Sequence, residues 1–334
     1  MPDERADGRL VVVTRGPFVE SAHHGAYCVV RGGKVTRSKG DVGLRAFFRS
    51  AAKPFQVLTV LESGAADRFA FTEKELALVV GSHNGSPEHA AVAHGILQRI
   101  GAKVGWLRCG GHRSISRAVY EQYAREGYQP GRLEDNCSGK HAGMIAAAIA
   151  TGEDPESYAE LDHPVQRRNR EQVARFAGVT PDDLGIGADG CGVPSFFLSI
   201  EAMARAIQRW GTPDLFDEID DATRGHIARV QAAIAAHPDM VAGPDRFDTK
   251  LMRASGGKML VKMGAEGVLI ASSFGGDVGI ALKIEDGATR ALYPFMAALL
   301  VDEGLLSADD VADFYPRSVD TRMGTPCGGI EVEL

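Results

Sequence analysis

Strand-forming segments crowd both ends of this chain, and a long stretch of helical periodicity separates them. Residues 10–15 (LVVVTR) and 26–33 (AYCVVRGG) are rich in β-branched residues, the second closing on a Gly-Gly turn into Lys34-Val35-Thr36. Far downstream, 258–263 and 268–273 flank the Gly-bounded loop 264–267 as a hairpin, and a third strand follows at 278–284. Between the two ends, apolar residues recur at three and four spacing over 53–61, 73–80 and 88–100. Further helices are expected at 113–125, 164–176, 195–210 and 217–236, and two more, 289–302 and 307–314, precede a glycine-rich tail. The expected fold is α/β of the α+β kind, an antiparallel sheet from both termini with a helical lobe inserted between them. The sheet lobe would take about 1–46 and 240–334 and the helical lobe about 47–239, within a single unit over 1–334.

Bulk properties narrow the partner. The 334 residues carry a formal net charge of −7 with no block of like charge, which argues against a nucleic-acid surface. The opening MPDERADGRL is polar and carries acids, unlike a signal or transit peptide, and apolar runs such as 144–150 are too short to cross a bilayer. A soluble, cytoplasmic protein acting on a small molecule, with neither nucleic acid nor membrane as partner, is therefore expected. The five cysteines Cys28, Cys109, Cys137, Cys191 and Cys327 are odd in number and lack disulfide-framework spacing, so they read as thiols or metal ligands.

Chemistry-bearing residues gather in short motifs. Ser50-Ala51-Ala52-Lys53 stands where a loop gives way to a helix. Residues three apart on a helix share a face, so Ser50 Oγ and Lys53 Nζ are expected to meet. A helix N-terminus also offers unpaired backbone N–H groups for an oxyanion. Ser82-His83-Asn84 follows at the end of a predicted helix, and Lys262-Met263-Gly264 lies on a late strand entering the hairpin. With one substituted residue in each of the last two, the three pieces match in order the S-x-x-K, S-D-N, K-T-G set of penicillin-recognising enzymes. The implied chemistry is acyl transfer through a serine ester, supported by two Ser–Lys pairs.

NCSGKHAG (136–143) packs a thiol, a hydroxyl, an amine and an imidazole into one segment. It fails the phosphate-loop pattern, because Glu134 stands where the first glycine belongs and His141 where Ser or Thr belongs. A Cys–His nucleophile pair within one segment is unusual, since such residues come from distant parts of a chain. A metal half-site remains, completed by Cys191 in the Gly-Pro turn GADGCGVP (187–194). Two thiolates, one nitrogen from Lys140 or His141, and a water would make a four-coordinate zinc site; imidazole is the commoner ligand, so residue chemistry alone favours His141. Two buried thiols in tight loops is the alternative. Cys109-Gly110-Gly111-His112 reads as a pocket lining or a plain bend, and His23-His24 as an exposed turn.

Taken together, RSAAKPFQ (49–56), GSHNGSPEH (81–89), CGGH (109–112), DNCSGKHAGM (135–144), GADGCGVPSF (187–196) and LVKMGAEGV (260–268) resemble the asparaginase II family of Rhizobium etli-type L-asparaginases. The resemblance covers nearly the whole chain. It implies a serine-β-lactamase/penicillin-binding-protein-like fold, hydrolysis of L-asparagine to L-aspartate and ammonia, a homodimer, and a zinc ion near the substrate pocket. It further implies Ser50 as nucleophile with Lys53 as base, and Ser82 with Lys262 as a second, proton-relaying pair. Zinc would be held by Cys137, Lys140 and Cys191 plus water, which moves His141 to a substrate contact beside Arg49, His83, Asn84, His112 and Asp189. A lysine ligand must be neutral, so zinc affinity is expected to fall with acid.

The chain departs from the family pattern at Ser86 and over 109–114, which bears on substrate preference and leaves the Ser–Lys pairs untouched. The alternative activity is that of a glutaminase or another small-amide hydrolase, since one methylene is discriminated by only about 1–3 kcal/mol. A β-lactamase or peptidase would leave NCSGKHAG without a role. A non-catalytic zinc or amino-acid-binding protein would require both Ser–Lys pairs to be inert.

Overall fold

The computed structural model describes residues 8–334; most of the polar N-terminal segment discussed above, residues 1–7, lies outside the described residues. Strands β1 (Arg9–Arg15), β2 (Phe18–Arg31) and β3 (Lys34–Lys39) come from one end of the chain. Three short strands form a second sheet in the order β4-β6-β5: β4 (Arg45–Phe47), β5 (Gly185–Ala188) and β6 (Pro194–Ser199). The other end supplies β7 (Met259–Gly264), β8 (Val268–Ser273), β9 (Gly279–Ile284), β10 (Arg317–Asp320) and β11 (Pro326–Val332). The main sheet runs β10-β11-β1-β2-β9-β8-β7, with β3 also paired to β2, and its ladders are antiparallel.

The two ends of the chain meet at β2–β9, where Tyr27 faces Leu282 and Val29 faces Ile280. This is the sheet expected from both termini. Its length lets β2 serve two sets of partners: residues 18–24 pair with β1, and the following stretch pairs with β9 on one side and β3 on the other. Helices Ile200–Gly211 and Thr289–Asp302 pack on the sheet, and β7, β8 and β9 are buried along almost their whole length. Burial on both faces explains why these strands read as continuous apolar runs rather than alternating ones.

The middle segment carries most of the helices, as the periodicity implies, among them Lys53–Glu62, Glu73–Val79, Pro87–Arg99, Ser138–Thr151, Pro164–Ala177 and Asp221–Ala236. It departs from expectation over 195–210. There Phe196, Phe197 and Leu198 form strand β6, and the helix begins only at Ile200, where the Ser199 hydroxyl accepts from Ala202 N–H. An N-cap serine after an apolar run marks the boundary that periodicity alone misses.

Two other expectations give way, at 307–314 and at His23. The helix expected at 307–314 is only a short 3₁₀ turn, Asp309–Val311. The glycine-rich tail, inside the segment assigned to the sheet lobe, forms β11, which pairs with β1 through Val11 and Val332. His23 is not in an exposed turn: it sits on β2, 4% exposed, with Nδ1 at 2.6 Å from Asp286 Oδ2. No described helix is long and apolar enough to cross a membrane.

Candidate active site

Ser50 lies in the 3₁₀ turn Arg49–Ala52, which runs directly into helix Lys53–Glu62. The turn is anchored by Phe48 N–H donating to Phe196 O within β6. Arg49, immediately before Ser50, sits at φ 51°, a left-handed conformation that a non-glycine residue holds only when its surroundings impose it. Its guanidinium pairs with Asp189 at 3.1 Å, so the turn is also tied to the β5–β6 hairpin.

Ser82 follows helix Glu73–Val79 and is pinned by its own N–H, which donates to Val241 O at 2.6 Å. The expected pairing of Ser50 with Lys53 is not the one formed. Lys53 Nζ donates instead to Ser82 Oγ at 2.8 Å, and to the carbonyls of Gly81 and Asn136. Lys262, on β7, reaches the same Ser82 hydroxyl at 3.0 Å and Met263 O at 3.0 Å. Both amines converge on one serine because Lys53 points from the first turn of its helix toward the loop at 81–82, across from the strand that carries Lys262. All three Lys53 N–H groups find acceptors. Burial pulls Lys262 down to about 7, a drop that nearby Asp248 partly offsets and Lys53 and Arg246 reinforce. Both amines thus bear on the Ser82 hydroxyl, and burial brings Lys262 nearer to losing its proton at neutral pH.

NCSGKHAG opens helix Ser138–Thr151, with Cys137 at its N-cap and Cys137 N–H held by Asp135 Oδ1 at 2.8 Å. Its first glycine is there for packing, not for phosphate: a Cβ on Gly139 would lie 2.6 Å from Leu78 O on the neighbouring helix. Cys191 is at the tip of the β5–β6 hairpin, whose turn is closed by Asp189 N–H to Val193 O. Lys140 Nζ lies 3.1 Å from Cys191 Sγ, and all three side chains are about 5% exposed or less. The hydrogen bond from Cys137 drops the Cys191 thiol to about 6, against burial and with help from Lys140, while Cys137 is pushed up to about 12. Lys140 rises above its ordinary value, since Cys191, Cys137 and Asp189 outweigh the effect of burial.

No cluster of three His, Cys, Asp or Glu side chains suited to a metal occurs among the described residues, so the fit of zinc rests on this thiol–thiol–amine set. Zn–S bonds of about 2.3 Å and Zn–N bonds of about 2.0–2.1 Å in a tetrahedron put donors about 3.5 Å apart. The observed Lys140–Cys191 separation of 3.1 Å is within a few tenths of that, and the donors suit zinc. The set fits.

A cavity of about 540 Å³ opens beside the serines, lined by Ser50, Ser82, Asn136, Ile115, Asp245, Arg246, Met263 and residues of the C-terminal segment. Of the six expected substrate contacts, Arg49, His83, Asn84, His112, His141 and Asp189, none is among its lining residues, though Arg49 adjoins Ser50 of that lining and Asn136, bonded to His112, forms part of it. Arg49 and Asp189 are paired with each other. His83 is fully buried, with Nε2 at 3.0 Å from Ser138 Oγ and Nδ1 accepting from Gly85 N–H. Asn84 donates to Asp245 and accepts from Ser86 N–H, and both ring nitrogens of His112 are engaged, by Asn136 N–H and Arg113 O. His141 is also fully buried; burial, with Lys140 nearby, pulls it down to about 3. Its Nδ1 takes the Tyr158 hydroxyl at 2.5 Å, and its Nε2 has no partner among the described residues.

Sequence reading missed the turn Gly243-Pro244-Asp245-Arg246, which places two charged residues in the cavity wall. A Gly-Pro turn carrying an adjacent acid and base shortly before the strand of Lys262 was the available signal.

A sheet from both termini, helices inserted between them, and a buried Ser–Lys–Lys cluster facing a cavity describe an amidohydrolase-type α/β protein. The profile of the L-asparaginase II family matches residues 11–332, and the chain belongs to that family. It is an asparaginase-type amidohydrolase. No curated protein matches the chain. Among solved structures it is similar to a β-lactamase from Mycobacterium bovis, at 13% identity over 84% of this chain and 95% of that one, TM-score 0.44. It is also similar to Mglu in its tris and glutamate form, at 13% identity over 92% of this chain and 65% of that one, TM-score 0.46. A third is SurE with D-Leu, at 14% identity over 88% of this chain and 74% of that one, TM-score 0.40.

Proposed function

We propose that the protein hydrolyses L-asparagine to L-aspartate and ammonia through a serine ester. The observation that supports this is the Ser82 hydroxyl held between two buried lysines, on the wall of a cavity that also contains Ser50. Ser50 Oγ attacks the side-chain amide carbon, and its proton passes by way of Ser82 to neutral Lys262. The C–N bond breaks as that proton returns to the leaving nitrogen, giving ammonia and an aspartyl ester on Ser50. Water then cleaves the ester, its proton following the same route, and releases L-aspartate and the free serine. Lys53 remains a donor, its charge steadying the oxygen of Ser82.

Ser50 is preferred as nucleophile because it is the more exposed of the two hydroxyls and is not already engaged by a lysine, whereas Ser82 is 8% exposed and bonded to both amines. Zinc, held by Cys137, Lys140, Cys191 and a water, would supply a Lewis acid at the edge of the site. The homodimer implied by the family resemblance belongs to the same proposal and is tested by light scattering.

The test is to quench turnover with asparagine in Ser50→Ala and Ser82→Ala and to locate the aspartyl adduct by peptide mass spectrometry. An adduct on Ser50 in Ser82→Ala, and none in Ser50→Ala, is expected. An adduct on Ser82 would reverse the two roles. Comparing kcat/KM for asparagine, glutamine and a chromogenic β-lactam tests the substrate; a glutamine value at or above that of asparagine would favour the glutaminase reading.

A further inference from the structure

We propose that Arg246 and Asp245 recognise the substrate as an α-amino acid, Arg246 taking its α-carboxylate and Asp245 its α-ammonium group. The inference rests on the asparaginase reading and adds to it the residues that select the zwitterion.

The two residues sit on the turn Gly243–Arg246, ahead of helix Phe247–Ala254. Gly243 has φ 128°, and a Cβ there would lie 2.4 Å from Asn84 Nδ2. Only glycine lets this turn lie against Asn84, so the turn is locked to the segment that carries Ser82. Arg246 N–H closes the turn onto Gly243 O at 3.1 Å.

Arg246 is half-buried in the cavity wall, its guanidinium 4.0 Å from Met263 Sδ, next to Lys262 in sequence. Among the described residues it makes no ion pair, whereas Arg168 and Arg205, similarly half-buried, each hold a glutamate. A guanidinium is always charged and presents a planar fork suited to a carboxylate. Partly removed from water and without an internal anion, it is left to whatever anion fills the cavity. Arg317 lines the same cavity but is exposed, where water solvates it.

Asp245, the adjacent residue, is exposed like Arg317, but it is held by two hydrogen bonds and has no cationic partner among the described residues. Its Oδ2 accepts from Ser116 Oγ at 2.6 Å and its Oδ1 from Asn84 Nδ2 at 3.4 Å. Those two bonds hold the carboxylate in place and leave lone pairs free. The Ser116 contact follows directly on the stretch, 109–114, where this chain departs from its family's pattern. One fixed anion beside one fixed cation, across a cavity from two hydroxyls, matches a molecule with a zwitterionic end and a reacting amide. Binding at the non-reacting end also orients the amide for attack.

The experiment compares kcat/KM for L-asparagine with that for β-alaninamide, which lacks the α-carboxylate, and succinamate, which lacks the α-amine. The unaltered enzyme should favour asparagine over both by roughly 10²-fold or more. In Arg246→Gln the preference over β-alaninamide should collapse, chiefly through KM, and Arg246→Lys should restore part of it. Asp245→Asn should do the same to the preference over succinamate, and Arg317→Gln should leave both ratios as they are. An Arg246→Gln enzyme that keeps its preference, or an Arg317→Gln enzyme that loses it, overturns the assignment while leaving the asparaginase reading standing. If the unaltered enzyme releases no ammonia from asparagine, that reading falls, and calorimetric titration with L-aspartate decides this one separately. Binding that is lost in Arg246→Gln and kept in Arg317→Gln upholds it; no binding to the unaltered protein overturns it.

Discussion

Two clusters of buried lysine lie on either side of Asn136, and burial has opposite consequences in them. Asn136 O accepts from Lys53, and the next residue is Cys137. On one side, Lys262 faces a hydroxyl, another lysine and only one carboxylate, and burial takes it down to about 7. On the other, Lys140 is as deeply buried, yet two thiols and Asp189 more than reverse the effect and raise it. The same residue type becomes a proton acceptor in the first place. In the second it is half of an ammonium–thiolate pair, which must give up a proton before it can bind a metal. What surrounds a buried lysine, and not burial itself, decides its chemistry.

The contrast breaks most visibly when the amine of the first cluster is removed. Lys262→Met should lower kcat by roughly 10²–10⁴-fold, the range expected on losing a positioned proton acceptor. It should also raise thermal stability, because an apolar side chain of similar length relieves the burial of an ionisable amine at a functional site. Single-turnover kinetics and thermal melting read the two effects independently. A variant that is inactive and also less stable would mean that the hydrogen bonds of Lys262 hold β7 in place.

In the second cluster the change should register in metal content more than in rate. Cys191→Ser and Cys137→Ser should lose stoichiometric zinc by elemental analysis, while kcat falls by less than in Lys262→Met, since neither thiol lines the cavity with Ser50 and Ser82. Retained zinc would remove the metal assignment. A loss of kcat as large as that of Lys262→Met would show that the clusters act as one, for which the Arg49–Asp189 pair is the physical connection.

Much of this was readable from residue order. Strand character at both ends implied their pairing, and β2 meets β9 as that requires. Of the motif residues, Ser50 and Ser82 line one cavity and Lys53 and Lys262 meet on Ser82, while Lys140 and Cys191 come together next to Cys137. Which partner each side chain takes was not readable. Helical spacing put Ser50 and Lys53 on one face, but the 3₁₀ turn at 49–52 and the long lysine stem let Nζ pass Ser50 and reach Ser82. The local partners of the histidines were equally out of reach of the motif: His83 meets Ser138 Oγ and His141 meets the Tyr158 hydroxyl, contacts that only the folded chain brings about. Arg246 and Asp245 escaped notice because no motif contains them; only the folded turn brings them to the cavity.

The smallest effect tests the charge balance of the first cluster alone. Asp248 is fully buried, its Oδ2 accepts Met263 N–H at 3.0 Å, and its Oδ1 has no partner among the described residues. It is the carboxylate that opposes the fall of Lys262, while Lys53 and Arg246 add to that fall and Cys137 opposes it more weakly. If neutral Lys262 accepts the proton, activity should be lost as pH drops through about 7. Asp248→Asn keeps an oxygen for Met263 N–H but removes the negative charge, so Lys262 should lose its proton more readily. The acid limb of kcat should then move to lower pH, by up to about one unit, with little change in the plateau. A limb that moves upward would contradict the sign of the interaction. A limb that stays in place, in a variant with unaltered thermal stability, would assign the limb to a group other than Lys262 and return the accepting role to Lys53.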